Sequence, residues 1–270
     1  MKTGAKCGIL TGDQIGRRMT CRVHESKPEG IALIKAAVFD MDGTILDTAE
    51  DLRLAMNHAM EATGHRHDFT REDAYFFFGS GIRVAIRRAL AREAGAEREA
   101  LLVIGTPAEA EPTPQELCEM QRIQDAYLPY YSAHCAEHTG PFAGIPETLR
   151  ALRAAGIRTA VVSNKPDAAT RKLAEETFPG LFDLAAGERA GVRRKPAPDM
   201  TLTALRQLGV RPEEAVYIGD TEIDIETAAN AKLRCVAVTW GFRSEAFLEK
   251  CGAETIVSAA RELLPALTGG

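Results

Sequence analysis

The sequence predicts an α/β protein: a doubly wound parallel sheet whose first strand is separated from the rest by an inserted block of helices. Three observations carry this. An apolar run, Ile34-Lys35-Ala36-Ala37-Val38-Phe39, empties into an Asp-x-Asp-Gly turn signal, as a buried strand entering a loop does. From Thr48 to about Gly140 the apolar residues recur with helical spacing only. After Gly144, amphipathic helices alternate with short apolar runs, and such alternation implies right-handed crossovers and a parallel sheet covered on both faces.

Taken in order, residues from Met1 to about Gly30 mix Gly, Thr, Arg, Lys and Pro without periodicity, so they read as an extension outside the fold. In the helical block, Leu52, Met56, Ala59 and Met60 share one face, and Ile82, Ala85, Ile86 and Leu90 share another. The stretch Gly105 to Pro114 has prolines at positions 107, 112 and 114, which makes a continuous helix unfavourable and an exposed loop the expectation. Beyond it, helices from Pro146, Asp167 and Pro198 alternate with strands at Thr159 to Val162, near Leu184, and Val216 to Ile218. A strand Cys235 to Thr239 and a helix Ala259 to Leu267 close the fold. The expected division is a Rossmann-like core of residues 31–48 and 141–270 around a helical domain of residues 49–140.

The chain has 270 residues, 45% hydrophobic and 26% charged, with net charge -5. No basic run points to nucleic acid and no cationic amphipathic stretch to a membrane surface. The six cysteines are scattered without a C-x-x-C pair, which argues against a zinc site or a thioredoxin-like motif and suits reduced thiols. No apolar run is long enough to span a bilayer, and charged and Gly residues stand where a signal peptide needs an apolar stretch. A cytoplasmic location is the expectation.

Four segments at strand ends carry chemistry. Asp40 and Asp42 place two carboxylates at the end of the first strand, where they repel unless a cation compensates. Ser163-Asn164-Lys165-Pro166 offers a hydroxyl, an amide and backbone N–H groups, and alone reads as a helix cap. Lys195, fixed between Arg194 and Pro196, alone reads as surface. Gly219-Asp220 with Asp224 adds a second acidic pair, which alone suits a helix N-terminus. Ligands in open α/β sheets bind at the carboxyl ends of the strands. Brought together there, these groups form a site for a divalent cation and a phosphoryl group.

The motifs FDMDGT, VVSNK, RKPAPD and GDTEID resemble those of the haloacid dehalogenase-like hydrolases, over about Ala36 to Leu267. Within them, YFFFGSGIRVAIRRAL, VVSNKPDAAT, KPAPDM and VAVTWGF resemble phosphoglycolate phosphatases. Lys232 departs from the family's usual Gly, which should loosen a helix C-terminus, and Thr221 replaces the commoner Ser.

The resemblance implies an Mg²⁺-dependent phosphatase acting on a small phosphate monoester such as 2-phosphoglycolate. Asp40 would be the nucleophile forming an aspartyl-phosphate and Asp42 the general acid and base, with Lys195 the third catalytic group. Mg²⁺ would be held by Asp40, the backbone carbonyl of Asp42 and Asp220, supported by Asp224. Thr44, Ser163 and Asn164 would bind the phosphate. The helical insert would act as a cap, reaching the leaving group through Gly79, Ser80 and Arg83, although Gly79 to Gly81 also reads as a plain helix-start turn. That G-x-G follows no strand, which argues against a nicotinamide cofactor. The histidines, including His65, His67, His134 and His138, fall in no metal-ligand spacing.

Rival readings remain on the same fold. A dehalogenase would not need Asp42. A pyrophosphatase, a phosphosugar phosphatase or a phosphosugar mutase would differ mainly in the cap. A non-catalytic binding protein would be expected to lack one of Asp40, Asp42, Lys195 or Asp220. Expected partners are a small phosphate substrate, no nucleic acid, no membrane, and at most a second copy of the chain in a homodimer.

Overall fold

Val38 and Phe39 stand on opposite faces of one strand, and that alternation organises the core. A computed structural model describes residues 33–106 and 111–269. The expected extension to about Gly30, with Cys7 and Cys21, lies outside the described residues. Strand β1 (Ala36–Phe39) is wholly buried. Ala37 and Phe39 enter one hydrophobic cluster while Ala36 and Val38 enter another. Successive strand side chains point to opposite faces, so a strand covered on both sides reads as an unbroken apolar run.

From β1 the chain passes through β2 (Leu46–Asp47) into helices α1 (Ala49–Ala62), α2 (Arg71–Phe77), α3 (Ile82–Glu93), α4 (Arg98–Leu101) and α5 (Pro114–His134), and returns through β3 (Gly140–Pro141). There follow α6 (Ile145–Ala154), β4 (Arg158–Pro166), α7 (Asp167–Thr177), β5 (Leu184–Glu188), α8 (Asp199–Leu208), β6 (Ala215–Gly219), α9 (Glu222–Ala231), β7 (Arg234–Val238), α10 (Glu245–Lys250), β8 (Ile256–Val257) and α11 (Leu263–Thr268). Six strands form one parallel sheet in the order β5-β4-β1-β6-β7-β8. The chain winds outward from β1 first on one side and then on the other, so the crevice at the topological switch opens at the carboxyl ends of β1, β4 and β6. Leu149, Leu152, Leu173 and Leu263 cover one face; Met200, Leu205, Ala228 and Ala231 cover the other.

The helices α1 to α5 enclose a second hydrophobic cluster that includes Met56, Met60, Phe69, Phe77, Ile86, Met120 and Ile123 and takes in Phe242 from beyond β7. The two crossings are paired: Leu46 faces Pro141 and Asp47 faces Gly140 in an antiparallel ribbon. Two carboxylates brace it. Both Asp47 oxygens accept from Arg71 Nη2 at 2.6 Å. Buried Asp51 accepts from the backbone amides of His138 and Thr139 and from the Thr139 hydroxyl.

Several boundaries differ from the sequence reading. The Pro-rich stretch ends by starting a helix: Thr113 and Glu116 form a capping box and Pro114 occupies the first turn of α5, where a missing N–H costs nothing. Ser163 to Pro166, expected as a loop, extends β4, because Pro166 still pairs with Glu188 across an irregular register. The short elements β2, β3, β8 and α10 give too little periodicity to be seen in sequence. Lys232 caps α9 at φ 59°, a left-handed conformation that costs a side chain ~1–2 kcal/mol. No helix among the described residues is long and apolar enough to cross a membrane.

Candidate active site

The carboxyl ends of β1, β4 and β6 deliver their polar groups to one place. Carboxylate oxygens of Asp40, Asp220 and Asp224 lie within 4.8 Å of one another, and all three residues are buried. Against them stands one ammonium. Lys195 Nζ is 2.7 Å from Asp40 Oδ1 and 2.8 Å from Asp224 Oδ1, at only 3% exposure. Desolvation works against the Lys195 charge, but Asp224 and Asp40 outweigh it and hold the group well above the usual lysine range. Burial raises Asp40 well above the ordinary carboxylate range, with Lys195 opposing and the neighbouring acids reinforcing. Asp220 rises to about 7, first through burial and then through Asp224, despite bonds from the Phe242 amide and the Thr44 hydroxyl. Three carboxylates against one ammonium call for a cation, and an all-oxygen donor set suits a hard one such as Mg²⁺.

Each supporting residue has an assigned contact. The Asp224 Oδ2 accepts from the Thr221 amide and hydroxyl at 3.1 and 2.8 Å, so both its oxygens are engaged within the protein. Thr44 donates to Asp220 Oδ1 at 2.7 Å rather than lining the pocket. Asn164 clamps the Lys195 backbone, accepting from its N–H at 2.9 Å and donating to its carbonyl at 3.1 Å. Ser163 Oγ accepts from the Lys165 amide at 3.1 Å. The Asp42 carboxylate pairs with Lys165, whose Nζ lies 2.9 Å from its Oδ1, also bonds the Tyr131 hydroxyl and sits over the Tyr131 ring.

Above these groups is a pocket of about 660 Å³ counting its open mouth, a size suited to a small molecule. The core supplies Asp40, Asp42, Ser163, Asn164, Lys165 and Lys195. The insert supplies Leu52, Phe78, Ile82, Tyr127 and Tyr131, with the backbone of Gly79 and Gly81. Leu52 and Ile82, read from sequence as core positions, therefore face the pocket as well. Ser80 turns elsewhere: it donates to Glu222 Oε1 at 3.4 Å. Arg83 lines an adjoining cleft.

Sequence reasoning overlooked Lys165 and the segment Trp240 to Arg243. Lys165 lines the pocket two residues beyond Ser163; the apolar pattern of β4 ends at Val162, which hides that signal in the sequence. In the second segment the Trp240 indole donates to Thr44 O at 2.9 Å. Gly241 presses on Asp220, and a Cβ there would stand 2.2 Å from Oδ2. The Phe242 amide donates to that same Oδ2 at 2.7 Å while its ring joins the hydrophobic cluster of the insert. Arg243, 3% exposed, bonds Glu222 at 2.8 Å and the carbonyls of Tyr75 and Phe78 in the insert. Glu222 also lies 3.8 Å from Arg88 of α3.

A buried Asp at the tip of the central strand, an ammonium on its carboxylate and two further acids beside it make a candidate site for phosphoryl transfer. The chain belongs to the haloacid dehalogenase-like hydrolases, whose family model matches residues 37–238, and it is a phosphoric monoester hydrolase. It is 34% identical to the N-acetylmuramic acid 6-phosphate phosphatase of Pseudomonas aeruginosa, over 87% of this chain and 95% of that one. It is 30% identical to a phosphoglycolate phosphatase of Shigella boydii, over 87% and 92%. A crystal structure from Lactobacillus delbrueckii subsp. bulgaricus, provisionally named a phosphoglycolate phosphatase, is 54% identical, superposes with a TM-score of 0.84 and is covered over its whole length by 88% of this chain.

Proposed function

We propose that the chain is an Mg²⁺-dependent phosphatase for small phosphorylated carboxylic acids, with 2-phosphoglycolate the first candidate, and that Asp40 is its nucleophile. The observation that carries this reading is Lys195 Nζ at 2.7 Å from Asp40 Oδ1, a buried pairing that orients the carboxylate and leaves Oδ2 to attack. Relatives named for phosphoglycolate and N-acetylmuramic acid 6-phosphate both act on phosphate esters that also carry a carboxylate.

Asp40 attacks phosphorus and forms an acyl phosphate, and water then cleaves it. Asp42, at the pocket side of the nucleophile, protonates the leaving oxygen and later takes a proton from the water. Lys165 beside Asp42 supplies positive charge where the leaving group's carboxylate sits. Lys195 and the Ser163 hydroxyl stabilise the phosphoryl oxygens. Mg²⁺ would be held by Asp40, Asp220 and the Asp42 backbone carbonyl, with Asp224 positioning Lys195, and it would neutralise phosphoryl charge. The apolar wall of Leu52, Phe78, Ile82 and Tyr127 excludes bulk water.

The test is phosphate release from 2-phosphoglycolate, N-acetylmuramic acid 6-phosphate, pyrophosphate and hexose phosphates, with and without Mg²⁺. The expected result is Mg²⁺-dependent turnover with preference for the phosphorylated acids. Preference for pyrophosphate, or turnover that survives chelation, would overturn it.

A further inference from the structure

Beside the catalytic pocket lies a second cleft that shares Ile82, Leu128, Pro166 and Glu188 with it. The insert contributes Arg83 and Gln124 to this cleft, and the stretch after β5 contributes Arg189 and Arg194. Three guanidinium groups thus face one carboxylate, that of Glu188. Arg189 stands 3.9 Å from Asp167, but that acid is already bonded by Arg171 at 2.8 Å. Among the described residues, Arg83 and Arg194 have no carboxylate partner within ion-pair distance. Arg194 is half-buried and seated on the insert backbone: a Cβ at Gly81, whose φ is +86°, would lie 2.5 Å from its Nη1. Gly81 also lines the catalytic pocket, so this guanidinium marks the seam between the two spaces.

We infer that the cleft is a subsite for a second anionic group, a carboxylate or phosphate, at the end of the leaving group remote from the transferred phosphoryl. This rests on the reading of the Asp40 pocket as the phosphoryl site. A two-carbon acid fills only the inner pocket beside Lys165. A longer, doubly anionic ester reaches the arginines, and because they come from both insert and core, such a substrate bridges the two. Guanidinium is suited to this, since it remains charged and meets carboxylate or phosphate with paired donors.

Matched esters test the inference. kcat/KM is measured for 6-phosphogluconate against glucose 6-phosphate, and for fructose 1,6-bisphosphate against fructose 6-phosphate, in the wild type and in Arg189→Gln/Arg194→Gln. The doubly anionic member of at least one pair is expected to lead by ~10-fold at low ionic strength, mainly through KM, and the lead should shrink with added salt. In the variant the ratio should fall toward one. The pair with the larger ratio tells carboxylate from phosphate. Calorimetric titration of the same esters into Asp40→Asn protein with Mg²⁺ provides an arm that needs no turnover. Equal affinities within both pairs there, or a lead that the arginine substitutions leave intact, would overturn the subsite while leaving the phosphatase reading standing. Absent turnover with unequal affinities would do the reverse.

Discussion

The floor of the catalytic pocket and its roof are built on opposite principles. The floor is ionic and buried, with Asp40, Asp220, Asp224 and Lys195 all at or below 5% exposure. The roof, Leu52, Phe78, Ile82, Tyr127 and Tyr131, is apolar and aromatic. A floor of this kind is costly to fold, because each carboxylate is stripped of water beside others of like charge. The roof costs nothing comparable, since the same side chains that close the pocket also pack the insert. The floor is accordingly specialised for chemistry, and the roof is free to vary with the substrate.

The largest break in this comparison is Asp40→Asn. It should lower kcat by ~10⁴-fold or more in a phosphate-release assay while circular dichroism and melting temperature stay close to wild type. Asp42→Asn should cost ~10²–10⁴-fold, with the larger loss on esters whose leaving group is the poorer. Equal losses on good and poor leaving groups would count against its acid role.

The roof side has its own buried acid. Asp73, 1% exposed, lies against Arg98 and Arg92, and these bonds outweigh desolvation and hold it at about 2. A carboxyl depressed in the folded state stabilises above its unfolded value and loses that contribution as pH falls through the folded one. Asp73→Asn should therefore destabilise the protein at pH 7 by on the order of 2 kcal/mol, and the difference should shrink between about pH 4 and 2 in denaturant titrations.

On the floor the sign reverses. Metal-free Asp220 keeps its proton to about 7, so it favours the folded state at low pH and loses that contribution as pH rises through its folded value. On the proposed reading, Mg²⁺ would have to displace this proton to bind. Its affinity should climb by about tenfold or more per pH unit below about pH 7, because Asp40 is held up by burial as well, measured by calorimetry without substrate. The smallest effect belongs to Lys232→Gly, which should stabilise by ~0.5–1 kcal/mol through relief of the left-handed φ, less the chain entropy of glycine. A melting temperature unchanged or lowered would show that the αL strain is absorbed elsewhere.

What was legible in the sequence divides along the same line. Asp40 and Asp220 follow apolar runs, Asp224 stands four residues beyond Asp220 and Lys195 precedes a proline; their types make sense only together, and together they could be read before any coordinates. Roof residues carry the helical spacing of any buried face, and nothing in that spacing separates Leu52, which reaches the pocket, from Met56, which does not. Ser80 and Thr44 show a second limit. Their hydroxyls were expected to meet substrate, but Glu222 and Asp220 lie nearer, and such partners come from segments more than a hundred residues away. Lys165 was hidden by a strand that runs four residues further than its apolar pattern.

Trp240 to Arg243 gives one backbone amide two masters. The Phe242 N–H ends on the Asp220 carboxylate, while its ring is held by the insert. Hydrogen exchange at that amide is therefore a single-residue gauge of both: ion binding at the strand ends and any lifting of the helices should register there together.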